Sequence, residues 1–224
     1  MRSLVLALAA MLSTTAQGQG THELRYLALG DSYTIGEAVP EAGRWPVQLA
    51  QRLRADGIAL ASPRIIATTG WTTDELAAAM DAAEPLGEWD FVSLLIGVNN
   101  QYRGRDAEDF RTEFRALLER AIRLAQQRPE RVLVLTIPDW GVTPFGAASN
   151  RDRAQIAQQL DAYNRVVADE ARRRGVACVD IAKVSRERGA QLVADDGLHP
   201  STALYTEWTR LAVPVARRLL ASAE

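Results

Sequence analysis

Five short apolar segments, each separated from the next by a longer helical pattern, constrain this fold more than any other feature of the sequence. They are rich in β-branched residues and lie at 25–29, 64–68, 91–97, 131–137 and 175–181. None of them strictly alternates polar and apolar residues, so we expect each strand to be buried on both faces. The pattern predicts an α/β fold in which helices cover both faces of one parallel five-stranded sheet.

Local signals place the ends of two of the intervening helices. Pro46 suits the first turn of a helix that ends at Gly57. Thr72 or Thr73 is placed to cap the next helix, and Glu75 would complete a capping box with Thr72. These signals support a regular strand and helix alternation along the chain.

Composition and charge exclude some classes of function. The chain has a formal net charge of -2 and a sequence pI near 5.8. No basic field for binding nucleic acid is therefore evident. The single cysteine, Cys178, excludes an internal disulfide, and its apolar surroundings in sequence predict a buried, inert thiol.

The first 18 residues have the pattern of a secretory signal peptide. Arg2 supplies a positive end, and the apolar run 4–12 is followed by small residues. Because about 20 apolar residues are needed to cross a bilayer, we expect no stable membrane insertion. A buried N-terminal helix is the alternative. Cleavage would leave a single domain at 22–224 as an exported protein, periplasmic or secreted.

Glycines and polar residues follow the predicted strands. These segments are GDSYTIG (30–36), TTGWTT (68–73), IGVNNQYRG (96–104), IPDWGVTPFG (137–146) and, after a short helical piece, ADDGLHPS (194–201). In open parallel sheets, ligands bind in the crevice outside the carboxyl ends of the strands. We therefore expect these distant segments to meet at one site.

Ser32 in the first segment is a candidate nucleophile, which requires a base to remove its proton. His22 lies at the signal boundary, so His199 is the candidate base. Asp196 is spaced to reach the far ring nitrogen of His199 and to stabilise the imidazolium. Asp195 is the alternative acid, although it could instead cap the turn. A turn serine or a helix cap is the alternative for Ser32.

An oxyanion needs hydrogen-bond donors aimed at the developing charge. The N–H groups of Ser32 and Gly70 and the side-chain amide of Asn99 are the candidates. Gly70 could also serve a left-handed turn, and Asn99 could bind backbone. Asp31 is expected to accept backbone N–H bonds in the turn that carries Ser32.

The motifs GDSYTIG, TTG, GVNN and DGLHPS resemble the successive blocks of the GDSL-type esterases and lipases, also called SGNH hydrolases. The resemblance spans residues 26 to about 205. It implies a three-layer α/β/α, flavodoxin-like fold with a five-stranded parallel sheet, and no metal or cofactor. It also implies roles for the catalytic residues Ser32, Asp196 and His199 and for the oxyanion donors Ser32, Gly70 and Asn99.

The chain departs from the family pattern at two positions. Tyr33 stands where leucine is common, and Asn100 stands where the third block has aspartate. The second departure changes the hydrogen bonding behind Asn99.

Aromatic residues follow several of the strands. Trp71, Tyr102, Trp140 and Phe145 could line an apolar substrate pocket or pack in the core. The loops of Tyr102 and Trp140 are long enough to lean over Ser32.

The resemblance implies a small-molecule or lipid ester as substrate. We expect an arylesterase, thioesterase or lysophospholipase-like enzyme, with carbohydrate O-acetyl esterase as the alternative. A ligand-binding protein with little turnover is the alternative of another class, which Asn100 motivates. Ser32 lies outside a Gly-x-Ser-x-Gly elbow, which disfavours an α/β-hydrolase. The sequence leaves the oligomeric state open.

Overall fold

Five strands form one parallel sheet in the computed structural model, which describes residues 23–221. The strands are β1 (Tyr26–Gly30), β2 (Arg64–Ala67), β3 (Phe91–Leu95), β4 (Val132–Leu135) and β5 (Ala177–Val179). The α-helices are α1 (Ser32–Ile35), α2 (Trp45–Ala55), α3 (Thr73–Ala82), α4 (Val98–Tyr102), α5 (Ala107–Leu124), α6 (Pro144–Ala148), α7 (Arg153–Arg173), α8 (Ala182–Arg188) and α9 (Thr202–Ala221). No helix within 23–221 is long and apolar enough to cross a membrane. The predicted signal peptide lies outside the described residues.

The strand order is β2-β1-β3-β4-β5, and every pairing is parallel. The chain runs outward from β1 to β2 and then returns to the other side of β1 to form β3. Ligands bind at this reversal in sheets of this order. The predicted parallel sheet is confirmed, and its topology places the ends of β1 and β3 at the centre of any site.

Helices cover the sheet in two layers. Right-handed crossovers place α2 on one face and α3, α5 and α7 on the other, because the chain moves in opposite directions across the sheet. The contacts agree, since α2 packs against α9 while α5 packs against α3 and α7. The chain therefore has the predicted three-layer α/β/α fold.

The expectation that every strand is buried on both faces is wrong for the two edge strands. In β2, Arg64 is exposed and Ile65 is half-buried, and in β5 both Ala177 and Cys178 are half-buried. An edge strand pairs on one side only, so its outer side is covered less completely. Burial still raises the pKa of the Cys178 thiol to about 12, so this thiol is protonated at neutral pH.

The predicted helix signals are confirmed. Pro46 lies in the first turn of α2, and Gly57 follows that helix with φ +88. Thr72, rather than Thr73, is the N-cap of α3. Its N–H donates to Glu75 Oε2 at 2.8 Å in a capping box. This cap fixes the start of α3 directly after the segment that carries Gly70.

A buried carboxylate joins the two long helices of one layer. Glu170 on α7 is 2% exposed. Its oxygens accept from Arg115 Nε at 2.8 Å and from Arg111 Nη1 at 3.2 Å, both on α5. Hydrogen bonds from Arg115 lower the pKa of Glu170 to about 2.

Glu170→Gln should destabilise the fold by about 1–3 kcal/mol at neutral pH, because it removes the charge from these hydrogen bonds. The folded pKa lies below the ordinary value, so the stabilisation is present above about pH 5 and is lost as pH falls toward 2. Denaturant unfolding at several pH values measures it. A difference between wild type and variant that stays constant down to pH 3 would contradict this assignment.

Candidate active site

The carboxyl ends of β1 and β3 border a cavity of about 210 Å³. Residues from all five predicted segments line it: Ser32, Tyr33, Thr69, Gly70, Val98, Asn99, Tyr102, Trp140, Phe145, Leu198 and His199. Segments separated by up to about 170 positions therefore meet at one site, as their positions after the strands predicted.

Ser32 is the first residue of α1, directly after the turn that ends β1. The Asp31 side chain caps this short helix, since its Oδ1 accepts from the N–H of Tyr33 at 3.0 Å. The expected backbone-binding role of Asp31 is thus confirmed. N–H groups in the first turn of a helix have no intrahelical partner, so the Ser32 N–H is available to a ligand at the cavity wall.

The side chains of His199 and Asp196 are in direct contact. His199 Nδ1 lies 2.6 Å from Asp196 Oδ2, while Asp196 Oδ1 accepts from the N–H groups of Leu198 and His199, both at 2.9 Å. Burial acts to raise the pKa of Asp196, but hydrogen bonds from His199 and Leu198 outweigh it and lower that pKa. The structure therefore distinguishes Asp196 from Asp195 as the residue that orients the imidazole.

The segment that carries His199 is held by main-chain contacts. Val193 and Pro200 form an antiparallel bridge, and Gly197 turns the chain between them with φ +70. The Gly197 carbonyl accepts from the N–H of Phe145 at 2.9 Å. These contacts join the His199 segment to the one after β4, so both walls of the cavity are fixed together.

Gly70 lies in the loop between β2 and α3, and Asn99 lies in α4. Gly70 has φ +87, and no atom lies within 4 Å of where a Cβ would be. The glycine is therefore required for its left-handed backbone rather than for space. Asn99 Nδ2 donates to the carbonyl of Trp71 at 2.9 Å. An amide group has two hydrogens, so this bond orients Asn99 and leaves one donor for the cavity.

An aromatic cluster forms one wall of the cavity. Trp140 is 2% exposed, and its Nε1 donates to Gln101 Oε1 at 2.8 Å. The rings of Tyr102 and Phe145 lie 5.3 and 6.0 Å from it between centroids. Of the four aromatic residues that could line a pocket, Tyr102, Trp140 and Phe145 line the cavity, whereas Trp71 is not among the described residues that do.

Sequence reasoning did not single out Thr69, Val98 and Leu198, which also line the cavity. Each is the immediate neighbour of a predicted site residue in the sequence, and this adjacency could have identified all three as cavity residues. Tyr33 was noted only as a departure from the family pattern. Its ring lies edge-on to His199 with centroids 5.8 Å apart, so it packs against the imidazole and restricts its position.

The fold and the cavity define a class: an α/β/α protein with serine, histidine and aspartate gathered at the switch point of a parallel sheet. Residues 28–206 match the model of the GDSL-like Lipase/Acylhydrolase family. The chain belongs to this family, which confirms the resemblance drawn from the sequence motifs. Membership implies hydrolysis of esters.

Solved structures show the same fold. TesA has a TM-score of 0.68 at 18% identity, over 87% of this chain and 99% of that one. The lipase/acylhydrolase from Enterococcus faecalis has 0.67 at 20%, over 87% and 96%. Axe2, an acetylxylan esterase from Geobacillus stearothermophilus, has 0.65 at 19%, over 86% and 94%. At such identities the similarity establishes the fold alone. No curated protein matches the chain in sequence.

A second carboxyl group beside the cavity has a different environment. Asp31 is 1% exposed. Burial raises its pKa to about 7, although the hydrogen bond from the Tyr33 N–H acts to lower it. The turn that presents Ser32 therefore contains a carboxylate whose ionisation disfavours the folded state.

Asp31→Asn should become more stable relative to wild type as pH rises from 5 to 8. The folded pKa exceeds the ordinary 3.8, so wild type loses stability as pH passes through this window, while an amide stays neutral. The full loss, between about pH 4 and about pH 7, corresponds to at most about 4 kcal/mol, of which about 3 kcal/mol falls above pH 5. Denaturant unfolding measures the change, with Asp195→Asn as the exposed control. An unchanged difference between pH 5 and pH 8 would show that Asp31 is not strained by burial.

Proposed function

We propose that this protein hydrolyses carboxylic esters through an acyl-enzyme on Ser32. The observation that carries the proposal is that Ser32 and His199 line the same cavity while His199 Nδ1 lies 2.6 Å from Asp196 Oδ2. A charged carboxylate on one ring nitrogen holds the tautomer in which the other ring nitrogen can accept a proton.

The first half of the reaction forms the acyl-enzyme. His199 Nε2 takes the proton from the Ser32 hydroxyl while the serine oxygen attacks the ester carbonyl. Three donors stabilise the tetrahedral oxyanion: the N–H groups of Ser32 and Gly70 and the free amide hydrogen of Asn99. The imidazolium then protonates the leaving alcohol as the carbon–oxygen bond breaks.

The second half releases the acid. His199 takes a proton from water, and the resulting hydroxide attacks the acyl carbonyl in the same oxyanion environment. Collapse of this intermediate returns the proton to Ser32 and frees the carboxylic acid. In both halves of the reaction the base must be neutral when it takes the proton.

The size and lining of the cavity favour a substrate with a short acyl or aryl group. Its volume of about 210 Å³ is below the roughly 300–1,000 Å³ of pockets for drug-sized ligands. Trp140 and Phe145 give it an aromatic wall, which suits an apolar or aryl group. Aryl esters and short thioesters therefore rank ahead of lysophospholipids as substrates. We further propose that the protein acts after export, in the periplasm or outside the cell.

A carbohydrate O-acetyl esterase is the second candidate. A separate cleft of about 470 Å³ shares Tyr102 with the cavity and is lined mainly by polar side chains, among them Asn150, Arg151, Gln155 and Gln159. Polar side chains of this kind can bind the hydroxyl groups of the sugar that forms the alcohol part of an acetyl ester. Comparing p-nitrophenyl acetate with acetylated xylo-oligosaccharides would decide between the two candidates.

Ser32→Ala should abolish hydrolysis of p-nitrophenyl esters, with kcat/KM reduced by about 10⁴-fold or more, because the nucleophile is lost. The assay uses acetyl to palmitoyl esters, and wild type should prefer the short end. Ser149→Ala is the matched control, since its hydroxyl donates to the Gly146 carbonyl at 2.8 Å and accepts from the N–H of Arg151 at 3.4 Å, and Ser149 does not line the cavity within the described chain. Equal activity of wild type and Ser32→Ala would disprove the assignment of the nucleophile.

A serine-directed phosphonate separates the enzyme from the ligand-binding alternative. Labelling of wild type but not of Ser32→Ala supports an activated nucleophile. Folded wild type that is neither labelled nor active on any ester would favour a binding protein on the same scaffold.

Phe145→Ala should shift the preference toward longer acyl chains, because it removes part of the cavity wall. The hexanoyl to acetyl ratio of kcat/KM should rise by on the order of tenfold. Leu211→Ala, an exposed apolar residue that does not line this cavity within the described chain, should leave the ratio unchanged. If Phe145→Ala leaves this ratio at the wild-type value, the acyl group does not bind against Phe145.

A further inference from the structure

We infer that Asn100 is a positioning residue that holds the loop carrying Gly70 and the helix α4, which carries Asn99, in one unit. It stands where the family pattern has aspartate, and its side chain connects α4 to the start of α3. The inference rests on the proposed function, since it assigns a task within the same oxyanion site.

Asn100 is fully buried and its side chain uses both of its polar atoms. Oδ1 accepts from the N–H of Thr73 at 3.1 Å. Nδ2 donates to Thr73 Oγ1 at 2.6 Å and to Glu113 Oε2 at 3.2 Å. The Thr73 hydroxyl in turn donates to Glu113 Oε2. We call these three residues the Asn100 latch.

The latch requires an amide at position 100. The Thr73 N–H can only donate, so it fixes which side-chain atom of Asn100 is the oxygen. The nitrogen then faces the Glu113 carboxylate, which can only accept. A carboxylate at position 100 would still accept from Thr73, but it would place a second negative charge against Glu113. The departure from the family pattern thus matches the acid that packs behind it.

The latch is close in sequence to two of the three proposed oxyanion donors, the N–H of Gly70 and the side-chain amide of Asn99. Asn100 follows Asn99, and Thr73 begins α3 three residues after Gly70. Two further bonds cross the same gap. Asn99 Nδ2 donates to the Trp71 carbonyl at 2.9 Å, and Arg103 Nη2 donates to the Gly70 carbonyl at 2.6 Å.

Burial distinguishes the Asn100–Thr73 part of the latch from the bond made by Arg103. Asn100 and Thr73 are both 0% exposed, whereas the side chains of Glu113 and Arg103 are 34% and 43% exposed. A hydrogen bond shielded from water is electrostatically stronger than one at the surface. The buried bonds between Asn100 and Thr73 are therefore the rigid link, and their loss displaces Gly70 and Asn99 relative to each other.

The experiment compares wild type, Asn100→Asp, Glu113→Gln and the double variant in ester hydrolysis and in thermal unfolding. Asn100→Asp should lower kcat about tenfold and leave KM within about twofold, because misplaced donors weaken the transition state. In the double variant a side-chain amide at position 113 can donate to the new carboxylate. Its kcat should therefore recover to within about threefold of that of Glu113→Gln.

Asn164→Asp is the matched control for a purely structural effect. Asn164 also uses both polar atoms, with Oδ1 accepting from the N–H of Ile137 at 2.7 Å and Nδ2 donating to its carbonyl at 2.9 Å. This variant should lose thermal stability while its kcat stays within about twofold of wild type. This result would show that a loss of stability alone does not lower kcat in this assay.

The outcomes separate the inference from the proposed function. An active wild type with a kcat defect that Glu113→Gln rescues supports the latch. An Asn100→Asp variant that is folded and has wild-type kcat would overturn it, as would a defect that persists in the double variant. Wild type without turnover would overturn the proposed function and, with it, the catalytic task of Asn100.

Discussion

The pairing of β1 along both of its edges is the constraint on which the site depends. Gly30 lies opposite Ala67 of β2 and Leu95 of β3. A Cβ at Gly30 would overlap the Thr34 hydroxyl and the Leu95 carbonyl, so the turn into α1 passes close to the end of β3. Because β1 is buried on both faces, a one-residue shift in register would exchange the side chains that pack against the two helix layers. Ser32 is thereby fixed at the switch point.

Two carboxyl groups at this point have opposite environments. Asp31 is enclosed by protein and its pKa is raised, whereas hydrogen bonds from His199 and Leu198 lower the pKa of Asp196. Such a separation assigns different tasks to two acids in one site. Asp196 remains charged and orients His199, while Asp31 shapes the turn that presents Ser32. The stability lost by burying Asp31 is a cost of holding that turn.

Much of the fold was predictable because its signals are local. The strand segments, the Thr72 cap and the contact of His199 with Asp196 depend on neighbours in sequence. The exposure of Arg64 in β2 was not predictable, because it depends on which strand occupies the sheet edge. The absence of Trp71 from the described cavity lining has a similar reason. Its place after a strand was evident from the sequence, but the direction of its side chain depends on packing.

The sequence by itself determined that the chain alternates buried strands with helices and that reactive side chains follow the strands. It also determined the family, since the motifs occur in order. Only the tertiary structure decided the strand order, the size of the cavity and the contact of Asn100 with Glu113. Periodicity reports whether a segment is buried, but it does not report which distant segment covers it. Contacts between such segments follow from packing, which the whole chain determines together.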